Sequence, residues 1–165
     1  MKKLLFCWEL GEDYGHLGKI LALAREFTDQ PIEFYAALKD LSSASKIDWP
    51  ANVKFIQAPI WLRTNKLAHK ASSHAEILLS KGYDSYKHLK ILTSAWSAIF
   101  NYLSPDVILF DYSPSALLAA SGLSTPKVII SNPYVTPAPG TSVINLIASA
   151  DFDETKATEI HKWVI

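Results

Sequence analysis

The chain has one cysteine in 165 residues. No internal disulfide can form, a pattern that fits a reducing compartment. It has no excess of either charge. Sixteen Lys and Arg residues balance sixteen Asp and Glu residues, which removes the electrostatic footprint of a nucleic-acid or anionic-membrane binder. No stretch approaches the roughly 18 apolar residues of a membrane span. The apolar run Leu4-Leu5-Phe6-Cys7-Trp8 behind Lys2 and Lys3 imitates a secretory signal but stops at Glu9. That is short of the roughly 7–15 residues of an h-region, and no small-residue cleavage site follows. Repeats, low-complexity tracts and internal linkers are also missing. The expectation is a soluble, cytoplasmic protein with no nucleic-acid partner and no membrane span.

What is present is apolar: 49% of residues are hydrophobic and 19% charged. This balance excludes disorder. The length suits about one domain, and such a chain buries about two-thirds of its unfolded surface without staples.

Short apolar runs alternate with segments of helical period. Residues 3–8 (KLLFCW) are apolar at consecutive positions, as in a strand covered on both faces. From His16, Leu17, Ile20, Leu21, Ala24 and Phe27 recur at helical spacing. Residues 32–36 read as a second strand, 38–46 as a weak helix and 53–57 as a third strand. Two helices are expected over 72–80 and 86–102, separated by Lys81-Gly82-Tyr83-Asp84. Residues 106–110 (DVILF) read as a fourth strand. Ser113-Pro114 then opens a short helix ended by Gly122, and 127–131 (KVIIS) reads as a fifth strand. This alternation implies an α/β fold: a Rossmann-like open parallel sheet with right-handed crossovers, flanked by helices, in the common order 3-2-1-4-5. Domain-like patterning covers residues 1–135. Residues 136–165 read as an irregular segment and a terminal helix, and the apolar ending Trp163-Val164-Ile165 looks cut off.

The loop Glu9-Leu10-Gly11-Glu12-Asp13-Tyr14-Gly15-His16-Leu17-Gly18-Lys19 follows the first strand. It lacks the G-x-G-x-x-G of dinucleotide binding. A phosphate-binding P-loop would want Gly at 13 and Ser or Thr at 20, where Asp13 and Ile20 stand. Its three carboxylates would also repel a phosphate. What remains is His16, in the first turn of a helix at the carboxyl end of a strand, the edge where open parallel sheets bind ligands. A helix N-terminus disfavours the imidazolium and keeps such a histidine neutral, as a base must be. The plainer alternative makes His16 a helix cap with Gly15 allowing the turn.

Asp111 directly follows DVILF and precedes the capped helix, so it also sits at a carboxyl strand end. In the order 3-2-1-4-5, strands one and four are neighbours at the topological switch point, and His16 and Asp111 would face each other there. A carboxylate on one nitrogen of a histidine fixes its tautomer and stabilises the charge formed when the other takes a proton. The plainer alternative for Asp111 is an Asx-type cap.

The stretch WELGEDYGHLGKILALAREF is similar to the Gly-His loop and first helix of GT-B-fold glycosyltransferases. The nearer likeness is to bacterial members related to the UDP-glycosyltransferase and macrolide-glycosyltransferase families. The stretch SPDVILFDYSPSALLAASGLSTPKVIISN resembles the same family's second block, and residues 1 to about 135 fit its amino-terminal, acceptor-side domain. The resemblance implies that His16 is the general base toward an acceptor hydroxyl and that Asp111 supports it. It further implies an inverting transfer of a sugar from a UDP- or TDP-type donor, with the donor site mainly in a second domain absent here. The isolated chain is therefore expected to lack appreciable transferase activity. Many relatives carry proline three residues after the histidine, where this chain has Lys19, and the loop is acidic where relatives are often glycine-rich.

Substrate contacts are expected from Tyr14, Gly15, Trp61, Tyr112 and Asn132. Trp61 is the favoured acceptor contact within the aromatic-rich stretch 59–104, most of whose aromatics read as core or exposed helix face. No metal is expected, because His69, His74 and His88 lack ligand spacing, and no cofactor beyond the donor co-substrate. Cys7, mid-strand among apolar neighbours, reads as inert core. Two other readings stay open: a non-catalytic binding module or one chain of a split glycosyltransferase completed by a donor-binding chain, and a fragment of a GT-B-fold sugar-nucleotide epimerase.

Overall fold

A computed structural model describes residues 1–12, 14–63, 71, 73–130 and 155. Five strands, β1 (Lys2–Trp8), β2 (Ile32–Leu38), β3 (Val53–Gln57), β4 (Val107–Asp111) and β5 (Lys127–Ile129), pair in parallel in the order β3-β2-β1-β4-β5. This is the Rossmann-like α/β sheet and strand order that the alternation of runs predicts. Helices α1 (Tyr14–Glu26) and α2 (Leu41–Ala44) connect the first three strands. Then come α3 (His74–Leu78), α4 (Tyr86–Leu103) and, after β4, α5 (Pro114–Ala119). The sheet belongs to one compact unit, Met1–Ile60 with Leu92–Ser131; Trp61–Ile91 belongs to a second.

The unbroken apolar run of β1 is explained by burial on both faces. Leu4, Phe6 and Trp8 join Phe34, Ala36 and Leu38 under Leu17, Ile20 and Ala24 of α1. Leu5 and Cys7 point the other way and join Ile108 and Phe110 against Trp96, Phe100 and Leu103 of α4 and Ala116 of α5. Successive side chains of a strand alternate faces, so a doubly covered strand must be apolar at every position. Each fully buried Leu, Ile or Phe here contributes about 1.5–3 kcal/mol relative to exposure.

Several boundaries differ from the sequence expectations. Residues 38–46 were expected as helix, but Leu38 is the last residue of β2 and helix forms only over Leu41–Ala44. Asp40 starts it there by accepting a hydrogen bond from the Ser42 backbone N–H at 2.8 Å. Ser42, Ser43 and Ser45 then shorten it, because their hydroxyls bond locally, as Ser45 Oγ does to the Ser42 carbonyl. Helix α1 begins at Tyr14 rather than His16. The expected helix 72–80 is α3, His74–Leu78, capped by Ser73 Oγ, which accepts from the Glu76 N–H. It runs into a wide turn, Leu79–Tyr83, where Gly82 adopts φ +95°. Strand β4 ends at Asp111, one residue later than expected, and β5 ends at Ile129; Ser131 lies outside the described residues, as does the whole of 136–154. Among the described residues no helix is long and apolar enough to cross a membrane.

Candidate functional site

The register of β1 and β4 pairs Trp8 with Asp111, so two polar-site residues start from adjacent strand ends. The chain leaves β1 toward β2 and leaves β4 toward β5, which makes this edge the topological switch point of the sheet. Beyond β1, Glu9 turns inward. It is 2% exposed, and its carboxylate accepts hydrogen bonds from the Ser115 backbone N–H at 3.1 Å and Ser115 Oγ at 2.7 Å. The loop from β1 is thereby tied to the start of α5. A second tie is the Leu10 N–H, which donates to the Tyr112 carbonyl at 2.9 Å, with Tyr112 at φ +47°. The Trp8 indole N–H donates to the Leu10 carbonyl at 2.6 Å. Lys39, just past β2, donates to the Gly11 carbonyl at 2.6 Å and lies 3.7 Å from Glu12.

This scaffold presents His16. Its Nδ1 lies 2.8 Å from Asp111 Oδ2. An ionised carboxylate only accepts, so the pairing assigns the imidazole proton to Nδ1 and leaves a lone pair on Nε2. Asp111 is 2% exposed, while the His16 side chain keeps 15% of its surface. The other carboxylate oxygen, Oδ1, accepts from Lys19 Nζ at 3.0 Å. Beneath the imidazole the Trp8 ring stacks at 5.2 Å between centroids and 19° between planes, and the Tyr112 ring is tilted at 6.5 Å. No hydrogen bond from the described residues engages His16 Nε2. The arrangement suits an oriented base: an imidazole with Nδ1 fixed by a buried carboxylate and Nε2 beside Gly11.

The structure brings His16, Asp111 and Tyr112 together. Tyr14 and Gly15 occupy the first turn of α1, both exposed, and a β-carbon on Gly15 would meet nothing within 4 Å. Trp61 belongs to the second unit. It stacks on His88 with centroids 4.1 Å apart, and a β-carbon on Gly82 would come within 2.7 Å of its Cγ. Asn132 lies outside the described residues, as does His69. Among the described residues no three His, Cys, Asp or Glu side chains are grouped to hold a metal ion. Cys7 is fully buried, and burial first, then the nearby Glu9 charge, pushes its thiol well above the ordinary range.

Four participants were not singled out from sequence. Lys19 had a legible signal, the i,i+3 spacing that places it on the same helix face as His16. Gly11, Trp8 and Ser115 had none, because their roles depend on strand register and on the loop's path.

No family model matches the chain, and no curated protein matches it in sequence. Solved structures do match in fold. UGT2 of Phytolacca americana, solved with UDP-2fluoro-glucose and pterostilbene, matches with a TM-score of 0.50 and 12% identity over 79% of this chain. UGT73P12 of Glycyrrhiza uralensis, solved with glycyrrhetinic acid 3-O-monoglucuronide, matches with a TM-score of 0.44 and 16% identity over 98% of this chain. The chain spans 30% of the length of the first and 41% of the second. The likeness to the first is one of fold: its match covers a Rossmann-like α/β domain.

Proposed function

We propose that this chain is the amino-terminal, acceptor-side domain of an inverting glycosyltransferase. The observation that carries the reading is the His16–Asp111 pair at the ligand-binding edge of the sheet: Nδ1 is bound at 2.8 Å to a buried carboxylate, and no hydrogen bond from the described residues engages Nε2. In the proposed reaction an acceptor hydroxyl gives its proton to His16 Nε2 as its oxygen attacks the anomeric carbon of a nucleotide sugar. The bond from that carbon to the diphosphate breaks, the nucleoside diphosphate leaves with the electron pair, and the configuration inverts. Asp111 holds the tautomer and balances the imidazolium formed. The glycosyltransferase-like fold supports the reading.

The donor is a UDP- or TDP-type sugar held mainly by a second domain or chain. In support, the loop after β1 contains no phosphate-binding motif, and the chain spans 30% of the length of the matched UGT2 structure. The isolated chain then binds acceptors but transfers no sugar at an appreciable rate. A single, buried cysteine with no disulfide partner in the chain fits a cytoplasmic setting.

The test begins with the purified chain and a panel of phenolic and sugar alcohols. Acceptor binding should shift the His16 ring resonances, whereas incubation with UDP-glucose should release no UDP. Supplied with a donor-binding domain, the system should transfer sugar with inversion, and His16→Ala should reduce the rate by about 10²–10⁴-fold. Rapid transfer by the chain alone, or full activity in His16→Ala, overturns the proposal.

A further inference from the structure

Asp111 has two carboxylate oxygens and both are taken, Oδ2 by His16 at 2.8 Å and Oδ1 by Lys19 at 3.0 Å. The ammonium and the imidazole hang from one helix, three residues apart, and reach one carboxylate that is 2% exposed. A simple pair would carry a charge of −1 with His16 neutral and zero with it protonated. With Lys19 the cluster is neutral when His16 is neutral, and protonation creates a net positive charge at a largely enclosed site.

We infer that Lys19 is a positioning residue of the His16–Asp111 pair. Its ammonium, 3.0 Å from Oδ1, fixes the carboxylate so that Oδ2 faces Nδ1, and it sets a positive charge across the carboxylate from the imidazole. Among the described residues, these groups lie around His16. From β4 come Asp111 and the Tyr112 ring; from the end of β1 comes the Trp8 ring at 5.2 Å, whose π face favours a cation. Glu9 is turned away onto Ser115, and Glu12 sits beside Lys39 at 3.7 Å. Asp111 and Trp8 thus favour the imidazolium; Lys19, joined through Asp111, opposes it, as does Lys39, whose ammonium sits on the carbonyl of Gly11 beside Nε2. For the transfer proposed above, on which the catalytic meaning of this inference rests, Lys19 keeps the base available at lower pH. A weaker base takes the proton in exchange.

The experiment titrates the His16 ring by NMR in the full 165-residue chain, without donor or acceptor. Lys19→Met keeps the length of the side chain and removes its charge; Lys19→Arg keeps the charge. In Lys19→Met the midpoint of the His16 ring titration should move to higher pH, the direction expected for removing one partly screened positive charge. Lys19→Arg should titrate like the parent. A midpoint that is unchanged or lower in Lys19→Met, or moved equally in both variants, overturns the inference. The Lys19 side chain is 38% exposed, so the fold should tolerate either change, and Lys19→Gln replaces Lys19→Met if that variant does not fold. Because turnover is not the readout, a chain without transferase activity can still satisfy the titration. Conversely, a failed titration leaves His16 standing as a base.

Discussion

A β-carbon on Gly11 would lie 2.4 Å from His16 Nε2, closer than any real contact, and Gly11 also adopts φ +88°. The glycine is therefore required twice, by backbone and by space. The imidazole would have to shift to clear an added methyl, which disturbs the 2.8 Å bond to Asp111. Gly11→Ala should cost about 1–3 kcal/mol in backbone strain alone, read as a lower midpoint in urea unfolding. It should also remove the hydrogen-bonded Nδ1 proton signal of His16. Survival of that signal at parental stability would refute the close approach.

Asp111→Asn separates shape from charge. The amide keeps an acceptor for Nδ1–H but no longer carries the charge that balances Lys19 or a protonated His16. It can also present its NH₂ to Nδ1 and drive the proton to Nε2, which would leave no lone pair there. The expected outcome is a mixture of His16 tautomers in the ring ¹⁵N spectrum. Any transfer supported by the donor-complemented chain should fall by about 10²–10⁴-fold. A single Nδ1–H tautomer with undiminished transfer would show that Asp111 only shapes the loop.

The sheet was legible because burial on both faces forces consecutive apolar residues on β1 and β4, and such runs stand out from a sequence. The meeting of His16 and Asp111 was legible for a related reason: both follow such runs, and the strand order makes those runs neighbours. Element ends were less legible. Asp40 alone decides where α2 starts, and Gly82 at φ +95° decides where the segment after α3 turns. Lys19 reads from sequence as a departure at a proline position; only the 3.0 Å contact shows that it completes the Asp111 cluster. Gly11 and Ser115 act through loop paths that no local pattern encodes.

Asp40 provides a pH-dependent test away from the site. Hydrogen bonds from Ser43 and then Ser42 lower its carboxyl from 3.8 to about 2. A carboxyl depressed in the folded state stabilises the fold fully above its unfolded value, and the contribution is lost as pH falls through the folded one. The difference in stability between the parent and Asp40→Ala should therefore be constant above pH 3.8 and shrink from there to about pH 2. Urea unfolding at pH 5, 3.5 and 2.5 measures it. A difference that stays constant down to pH 2.5 would show that the cap acts without its charge.

Glu9 and Ser115 test the tie between the two strand ends. Ser115→Ala removes the 2.7 Å hydroxyl bond to a charged carboxylate that is 2% exposed. The cost should be about 1–3 kcal/mol. Glu9→Gln keeps an acceptor for the Ser115 N–H and removes the charge, so it should be the milder change despite altering the more polar residue. It should also leave Cys7 unreactive toward alkylation at pH 8, because burial comes before the Glu9 charge in raising that thiol. A Cys7 that alkylates readily in folded Glu9→Gln would reverse that order and make the carboxylate, rather than the packed sheet, the guard of the thiol.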